Sequence, residues 1–122
     1  MAKTFFTIAA LFGFLGVGLG AFGAHALKAR LTPELLQTFE TGVRYQMYHV
    51  VALFMVSWAM TQWKSGLFNT SGWLFVAGVL IFSGSLYILS ITGQKWWGAV
   101  TPFGGVALLA GWLTLAWGIY KG

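Results

Sequence analysis

The side chains of this chain that could do chemistry are few, and they lie within or beside long apolar stretches. The candidate polar cluster has ten members: His25, Glu40, Arg44, Tyr45, Gln46, His49, Ser83, Ser85, Tyr87 and Thr101. Ionisable groups inside a membrane often mark a path for a proton, an ion or a small solute. The simpler interpretation is that these groups cap helix ends, pair with one another and fix the hairpin formed by the first two helices.

Two kinds of bound group are compatible with the histidines. His25 and His49 could be the axial ligands of a haem held between helices. Together with Glu40 they are also the only set that could form a zinc or dinuclear metal site. The chain carries no haem attachment motif, and no further ligand is available. We therefore predict no cofactor and no metal.

Conventional catalysis is disfavoured by the residue types that are missing. The chain has no cysteine and no aspartate, which excludes a thiolate nucleophile and a Ser-His-Asp triad. Its two carboxylates, Glu34 and Glu40, are six residues apart on a polar helix surface, where charges are normally solvated. We therefore predict that the protein is not an enzyme.

Four apolar stretches must position these side chains, and they occupy most of the 122 residues. They cover about residues 5–26, 45–63, 73–92 and 99–120. A helix needs about 20 residues to cross a hydrocarbon layer of ~30 Å, and its backbone must be hydrogen-bonded internally. Hydrophobic residues make up 58% of the chain and charged residues 7%, against about a quarter charged in soluble domains. The sequence predicts one all-α domain, 1–122, built as a four-transmembrane-helix bundle.

The first stretch resembles a secretory signal, because Lys3 precedes an apolar run that ends in Ala24-His25-Ala26. The apolar region of a signal peptide is usually ~7–15 residues long, and this run is about twice that length. We therefore interpret it as the first transmembrane helix.

The link between the first two stretches carries helix signals. Thr32 is a good N-cap residue, Pro33 suits the first helical position and Glu34 is an acid in the first turn. Apolar residues then recur at helical spacing at Leu31, Leu35, Leu36, Phe39 and Val43. These features predict a short amphipathic helix over about 33–43 that lies in the membrane interface and bends near Gly42 into the second span.

Small residues recur on one face of three of the predicted spans. The stripes are Gly16, Gly20 and Ala24; Gly78, Ser85 and Thr92; and Gly104, Ala107, Gly111, Thr114 and Gly118. Glycine lowers helix stability by ~1 kcal/mol, so this many of them indicates close helix packing that offsets the loss. The stripes could pack within one chain or form a homo-oligomer.

The seven basic residues, which give a formal charge of +5, are scattered over the links. They form no stripe that would bind nucleic acid, and we interpret them as flanking charges that face lipid head groups. Four crossings would place three of them on one side and four on the other. Because this difference is too small for the positive-inside rule, the orientation stays open.

Several segments together resemble the domain-of-unknown-function 423 family, the YgdD/YwdK-like small integral membrane proteins. They are residues 20–28 (GAFGAHALK), 39–49 (FETGVRYQMYH), 82–87 (FSGSLY), 101–105 (TPFGG) and 111–112 (GW). The resemblance implies a four-helix protein of the bacterial inner or plasma membrane. It implies no activity, because none is established for the family.

The function predicted from the sequence is a structural, accessory or assembly role in the membrane. The alternative is an oligomeric transport or permeation unit for a proton, ion or small solute that uses the polar cluster. The lipid bilayer is the expected partner in both cases.

Overall fold

A computed structural model describes residues 1–122, and every regular element in it is helical. The elements are α1 (Ala2–Val17), a π-helical segment (Gly18–Gly23), α2 (Ala24–Leu27), α3 (Pro33–Gln62), α4 (Leu67–Thr92), a 3-10 turn (Lys95–Ala99) and α5 (Thr101–Lys121). The all-α prediction is confirmed. Because α1, the π-helical segment and α2 follow one another without a break, the chain forms four long helical units.

Three of these units are long and apolar enough to cross a membrane: Ala2–Leu27, Leu67–Thr92 and Lys95–Lys121. The remaining one, α3, is the longest single helix with 30 residues. It is less apolar because its N-terminal half carries several polar side chains, among them Gln46 and His49.

The N-terminus of α3 has the predicted cap. The Oγ1 atom of Thr32 accepts a hydrogen bond from the Leu35 backbone N–H at 3.2 Å, and Pro33 is the first helical residue. Residues 33–43 are helical as expected, but they do not form a separate helix, since α3 continues without interruption to Gln62. The helix is unbroken at Gly42, where a bend into the second span was predicted.

Gly42 has a packing role instead. A Cβ atom at this position would lie 2.8 Å from Cε1 of Tyr87, closer than real contacts allow. The missing side chain therefore lets the ring of Tyr87, on α4, approach the α3 backbone. A glycine that makes room for a neighbouring helix gives the same sequence signal as one that bends a helix.

The helices pack in chain order, with α1 against α3, α3 against α4 and α4 against α5. This places α3 and α4 at the centre, and both contribute most of the buried apolar side chains, including Leu53, Val56 and Phe75. The chain turns sharply after α4 at Gly93, whose φ of 73° is left-handed and whose N–H caps the Leu89 carbonyl.

The small-residue stripe of α5 faces α4 in a regular register. Each glycine lies against a phenylalanine, in the pairs Gly104–Phe82, Gly111–Phe75 and Gly118–Phe68; the rings of Phe75 and Phe68 pack on their glycines, whereas Gly104 lies against the backbone of Phe82. Each step of seven residues along α5 is matched by a step of seven in the opposite direction along α4, as in antiparallel coiled-coil packing. In the reverse direction, Gly78 of α4 receives Leu108 of α5.

The small-residue stripe of the first helical unit faces α3. Its glycines meet α3 side chains in the pairs Gly16–Met47, Gly20–Val43 and Gly23–Phe39. Gly20 and Gly23 lie in the π-helical segment, where three glycines in six residues weaken the preference for the tighter α-helix. Both stripes that could have joined two copies are thus filled by the chain's own helices.

Candidate functional site

The most connected polar side chain is that of Gln46, which is buried where three helices meet. Its Nε2 atom donates a hydrogen bond to the Phe12 carbonyl of α1 at 2.8 Å. Its Oε1 atom accepts a hydrogen bond from the Tyr87 hydroxyl of α4 at 2.6 Å. One amide therefore links α1, α3 and α4, and both of its ends are used.

Serines of α4 make further links to its neighbours. The Ser83 hydroxyl donates to the Gly42 carbonyl of α3 at 2.7 Å. The Ser85 and Thr101 hydroxyls share a hydrogen bond of 2.6 Å, which joins α4 to the first turn of α5. Gln46, Ser83, Ser85, Tyr87 and Thr101 of the candidate cluster therefore belong to a set of interhelical hydrogen bonds.

His49 is buried and connects α3 to α5. Its Nε2 atom accepts a hydrogen bond from the Trp112 indole N–H at 3.1 Å. Because an indole N–H is a donor only, Nε2 must be the unprotonated nitrogen. The other nitrogen, Nδ1, lies 2.6 Å from the Tyr45 carbonyl and donates to it. The imidazole is thus held as the neutral Nδ1–H tautomer, with both nitrogens engaged.

This geometry disfavours both hypotheses of a bound group, the haem held by His25 and His49 and the metal site that adds Glu40. An axial haem ligand needs a free imidazole nitrogen, and His49 has none. The three-ligand hypothesis needs His25, Glu40 and His49 close together. The structure holds no group of three or more His, Cys, Asp or Glu side chains that could bind a metal ion, so these residues are not brought together.

Four members of the candidate cluster lie outside the interhelical hydrogen bonds. The side chains of His25, Glu40, Arg44 and Tyr45 are exposed, in contrast to buried Gln46 and His49. His25 belongs to the short α2 at the end of the first helical unit, whereas the other three lie along the N-terminal half of α3. The cluster predicted from sequence thus separates into a buried hydrogen-bonded part and an exposed part.

Sequence reasoning missed three partners in this network. They are Trp112, the Phe12 carbonyl, and Ser71, whose hydroxyl donates to the Gly111 carbonyl at 2.8 Å. The contact at Gly111 could have been anticipated from the sequence, because a glycine in a close-packed stripe leaves its backbone carbonyl accessible to a serine on the facing helix. The other two contacts join residues that are 34 and 63 positions apart, and no local pattern indicates them.

A groove of about 640 Å³ opens on the outer surface between α3 and α5. Its α3 wall consists of Tyr45, Tyr48 and His49, and Phe82 of α4 contributes to its lining. The α5 wall consists of Pro102, Gly105, Val106, Leu108, Leu109 and Trp112. The volume is in the range of ligand sites, and the lining is largely apolar.

Comparison with known proteins identifies relatives over nearly the whole chain. Residues 19–105 match the family described as a protein of unknown function (DUF423). The UPF0382 membrane protein YwdK of Bacillus subtilis is 46% identical over 114 residues, which is 93% of each chain. The UPF0382 inner membrane protein YgdD of Escherichia coli is 40% identical over 113 residues, or 93% of this chain and 86% of that one. No solved structure matches the chain.

A relative from Haemophilus influenzae, also named a UPF0382 membrane protein, is 40% identical over 122 residues and covers 99% of this chain. The names of these relatives give a location and no activity. The family resemblance read from the sequence is thus confirmed by its match over most of the chain. This protein is a bacterial membrane protein of the DUF423 (UPF0382) family.

Proposed function

We propose that the chain crosses the membrane four times and that α3 is one of the crossings, although it is less apolar than the other three helical units. A helix of 30 residues is ~45 Å long, which exceeds a hydrocarbon layer of ~30 Å. It packs against both α1 and α4, and each of these helices belongs to an apolar span. The polar groups that lower its hydropathy, Gln46 and His49, are hydrogen-bonded within the bundle.

Topology labelling tests the four crossings. The chain has no cysteine, so single cysteines can be placed at Gln37, Ser65 and Gln94 without other changes. Four crossings place the residues at 37 and 94 on one side and the residue at 65 on the other. An impermeant maleimide added to intact cells should therefore label either the first two or only the third. Equal labelling at 37 and 65 would contradict a crossing by α3.

In the membrane, the protein acts in this proposal as a structural or accessory helical unit without catalytic activity. One observation carries the proposal: no buried side-chain nitrogen or oxygen lacks a hydrogen-bond partner. A path for a proton or ion needs polar groups that are free to bind water or the passing solute. The polar groups here are instead used to join helices, which is the accepted role of such groups in membrane bundles.

Transport is the second candidate, favoured by the groove that brings His49 and Tyr45 to one surface. Wild-type protein, His49→Ala and the exposed-site control Glu40→Gln can be reconstituted in vesicles and compared by proton flux and by thermal unfolding. The structural role predicts no flux above protein-free vesicles and lower stability for His49→Ala alone. A wild-type flux that disappears in His49→Ala at unchanged stability would establish transport instead.

A homo-oligomer remains a prediction of the sequence. The glycines at 104, 111 and 118 are already covered by α4, and Gly16 and Gly20 by α3. A second copy would therefore have to bind to other exposed faces of the bundle. Cross-linking in the membrane would distinguish a monomer from such an oligomer.

A further inference from the structure

The groove between α3 and α5 has the dimensions of one bilayer leaflet. Its α5 wall runs from Pro102 to Trp112, and the ten steps between these residues correspond to ~15 Å of helix. This is half of a hydrocarbon layer of ~30 Å. Because α3 and α5 both begin on the same side in a four-crossing chain, the groove belongs to the leaflet on that side. The inference therefore rests on the proposed four crossings.

The indole and imidazole nitrogens at the floor of the groove are already engaged in hydrogen bonds. The Trp112 N–H is bonded to His49 Nε2, and His49 Nδ1 is bonded to the Tyr45 carbonyl. Aromatic rings continue the lining, since the Tyr45 ring lies 4.9 Å from the Phe82 ring and 5.4 Å from the Tyr48 ring. The inner part of the groove thus presents ring faces and aliphatic groups.

Beside the outer end of the groove, the flanking elements carry two basic residues and one carboxylate, that of Glu40, which lies four residues before Arg44. Arg44 directly precedes Tyr45 and lies four residues before Tyr48, so it shares a helix face with Tyr48. The Arg44 side chain is exposed. Lys95 begins the 3-10 turn that leads into the α5 wall. Basic residues at this level complement an anionic phosphate, which arginine binds through its planar set of donors.

We propose that this groove is a binding site for one anionic phospholipid, with an acyl chain along Pro102–Trp112 and the phosphate near Arg44. Gly105 keeps the site open. A Cβ atom at 105 would lie 3.8 Å from the Phe82 ring, an ordinary contact, so a side chain there fits the backbone and extends into the groove. A larger side chain at 105 should therefore exclude the lipid without disturbing the fold.

The test compares lipid retention by the full chain purified in mild detergent, using native mass spectrometry. Wild-type protein is offered phosphatidylglycerol or phosphatidylcholine and then washed with detergent. We expect one phosphatidylglycerol to remain bound, and Gly105→Leu to weaken its binding by about tenfold. Gly84→Leu is the matched control, because Gly84 also has open space around it but borders a different cavity. It should retain the lipid.

Arg44→Gln should keep a lipid but lose the preference for phosphatidylglycerol over phosphatidylcholine. Equal retention by Gly105→Leu and wild type, or an equal loss in Gly84→Leu, would overturn the site. Wild-type protein without any preference for the anionic lipid would overturn the assignment of the head group.

If Gly105→Leu melts below wild type, Val106→Trp, at an exposed residue lining the groove, replaces it as the filling variant. Maleimide labelling tests the four crossings independently of lipid binding, so a failure of the lipid site can be distinguished from a failure of the proposed topology.

Discussion

The α4–α5 and α1–α3 helix pairs both use glycine stripes, but the glycines face different parts of the neighbouring helix. On α5, Gly104 lies against the backbone of Phe82, where a Cβ atom would be 2.8 Å from the Phe82 Cα. In the first helical unit, Gly16 lies against the end of the flexible Met47 side chain, and Gly20 against a methyl group of Val43. The first contact sets the distance between two backbones, whereas the second only leaves room for side-chain ends.

Polar contacts follow the same division. The α4–α5 pair is joined through Ser71 to the Gly111 carbonyl and through Ser85 to Thr101, along the faces that the glycines bring together. The α1–α3 pair is joined by the longer Gln46 side chain, which reaches the Phe12 carbonyl. Short hydroxyls suffice where backbones are close. A longer amide is needed where side chains keep the helices further apart.

The largest effect is expected at Gly104, where nothing can move aside. Gly104→Ala should lower the free energy of unfolding by about 3 kcal/mol, because its Cβ would overlap the Phe82 backbone. Denaturation in detergent micelles, followed by circular dichroism, measures this loss. The adjacent Gly105→Ala is the control and should be tolerated, since its Cβ meets ring atoms at 3.8 Å. Equal stability of the two variants would remove the proposed difference between the helix pairs.

An intermediate effect is expected at Gln46, the link between α1, α3 and α4. Gln46→Leu removes both interhelical hydrogen bonds, and membrane contacts of this kind contribute ~0.6 kcal/mol on average and up to ~1.7 kcal/mol each. We therefore expect a loss of about 1–3 kcal/mol, measured in the same way. Tyr87→Phe should cause a smaller loss, and exposed Gln37→Leu almost none. A Gln46→Leu variant as stable as wild type would show that the α1–α3 pair is held by packing alone.

The smallest effect is expected in the α1 stripe. The Cβ of Gly16→Ala meets the end of the Met47 side chain, which can rotate, and alanine recovers up to ~1 kcal/mol of helix propensity. The net change in unfolding free energy should stay within about 1 kcal/mol. Gly13→Ala is the companion variant, with a Cβ at an ordinary 3.7 Å from Val50, and should be neutral or stabilising. A loss at Gly16 as large as that at Gly104 would contradict the contrast.

The sequence was informative about elements whose signals are local. Each of the four long apolar runs falls in one of the helical units, and the Thr32-Pro33 pair located the start of α3. The π-helical segment was not predicted, because a Gly-rich stretch without large side chains carries no distinctive period. The contact between Gly42 and Tyr87 was not predicted, since the two residues are more than forty positions apart in the chain.

Prediction of the candidate site met the same limit. Residue type selected Gln46, His49 and Tyr87 as polar groups in apolar surroundings, which need partners, and all three make interhelical hydrogen bonds. The identity of those partners depends on helix register, which is set by glycine contacts spread over the whole chain. Exposed residues such as His25 and Glu40 entered the same list because a sequence does not distinguish a side chain that faces its own bundle from one that faces outward.

The uninterrupted course of α3 has a mechanical consequence. Its first turns carry the two carboxylates of the chain, Glu34 and Glu40, and extend past the ~20 residues that a crossing requires. Its only proline, Pro33, is the first helical residue, so the helix contains no internal proline at which it would kink. Gln46 and His49 therefore lie on one continuous helix, and a rotation of that helix about its axis would disturb the contacts to α1, α4 and α5 together.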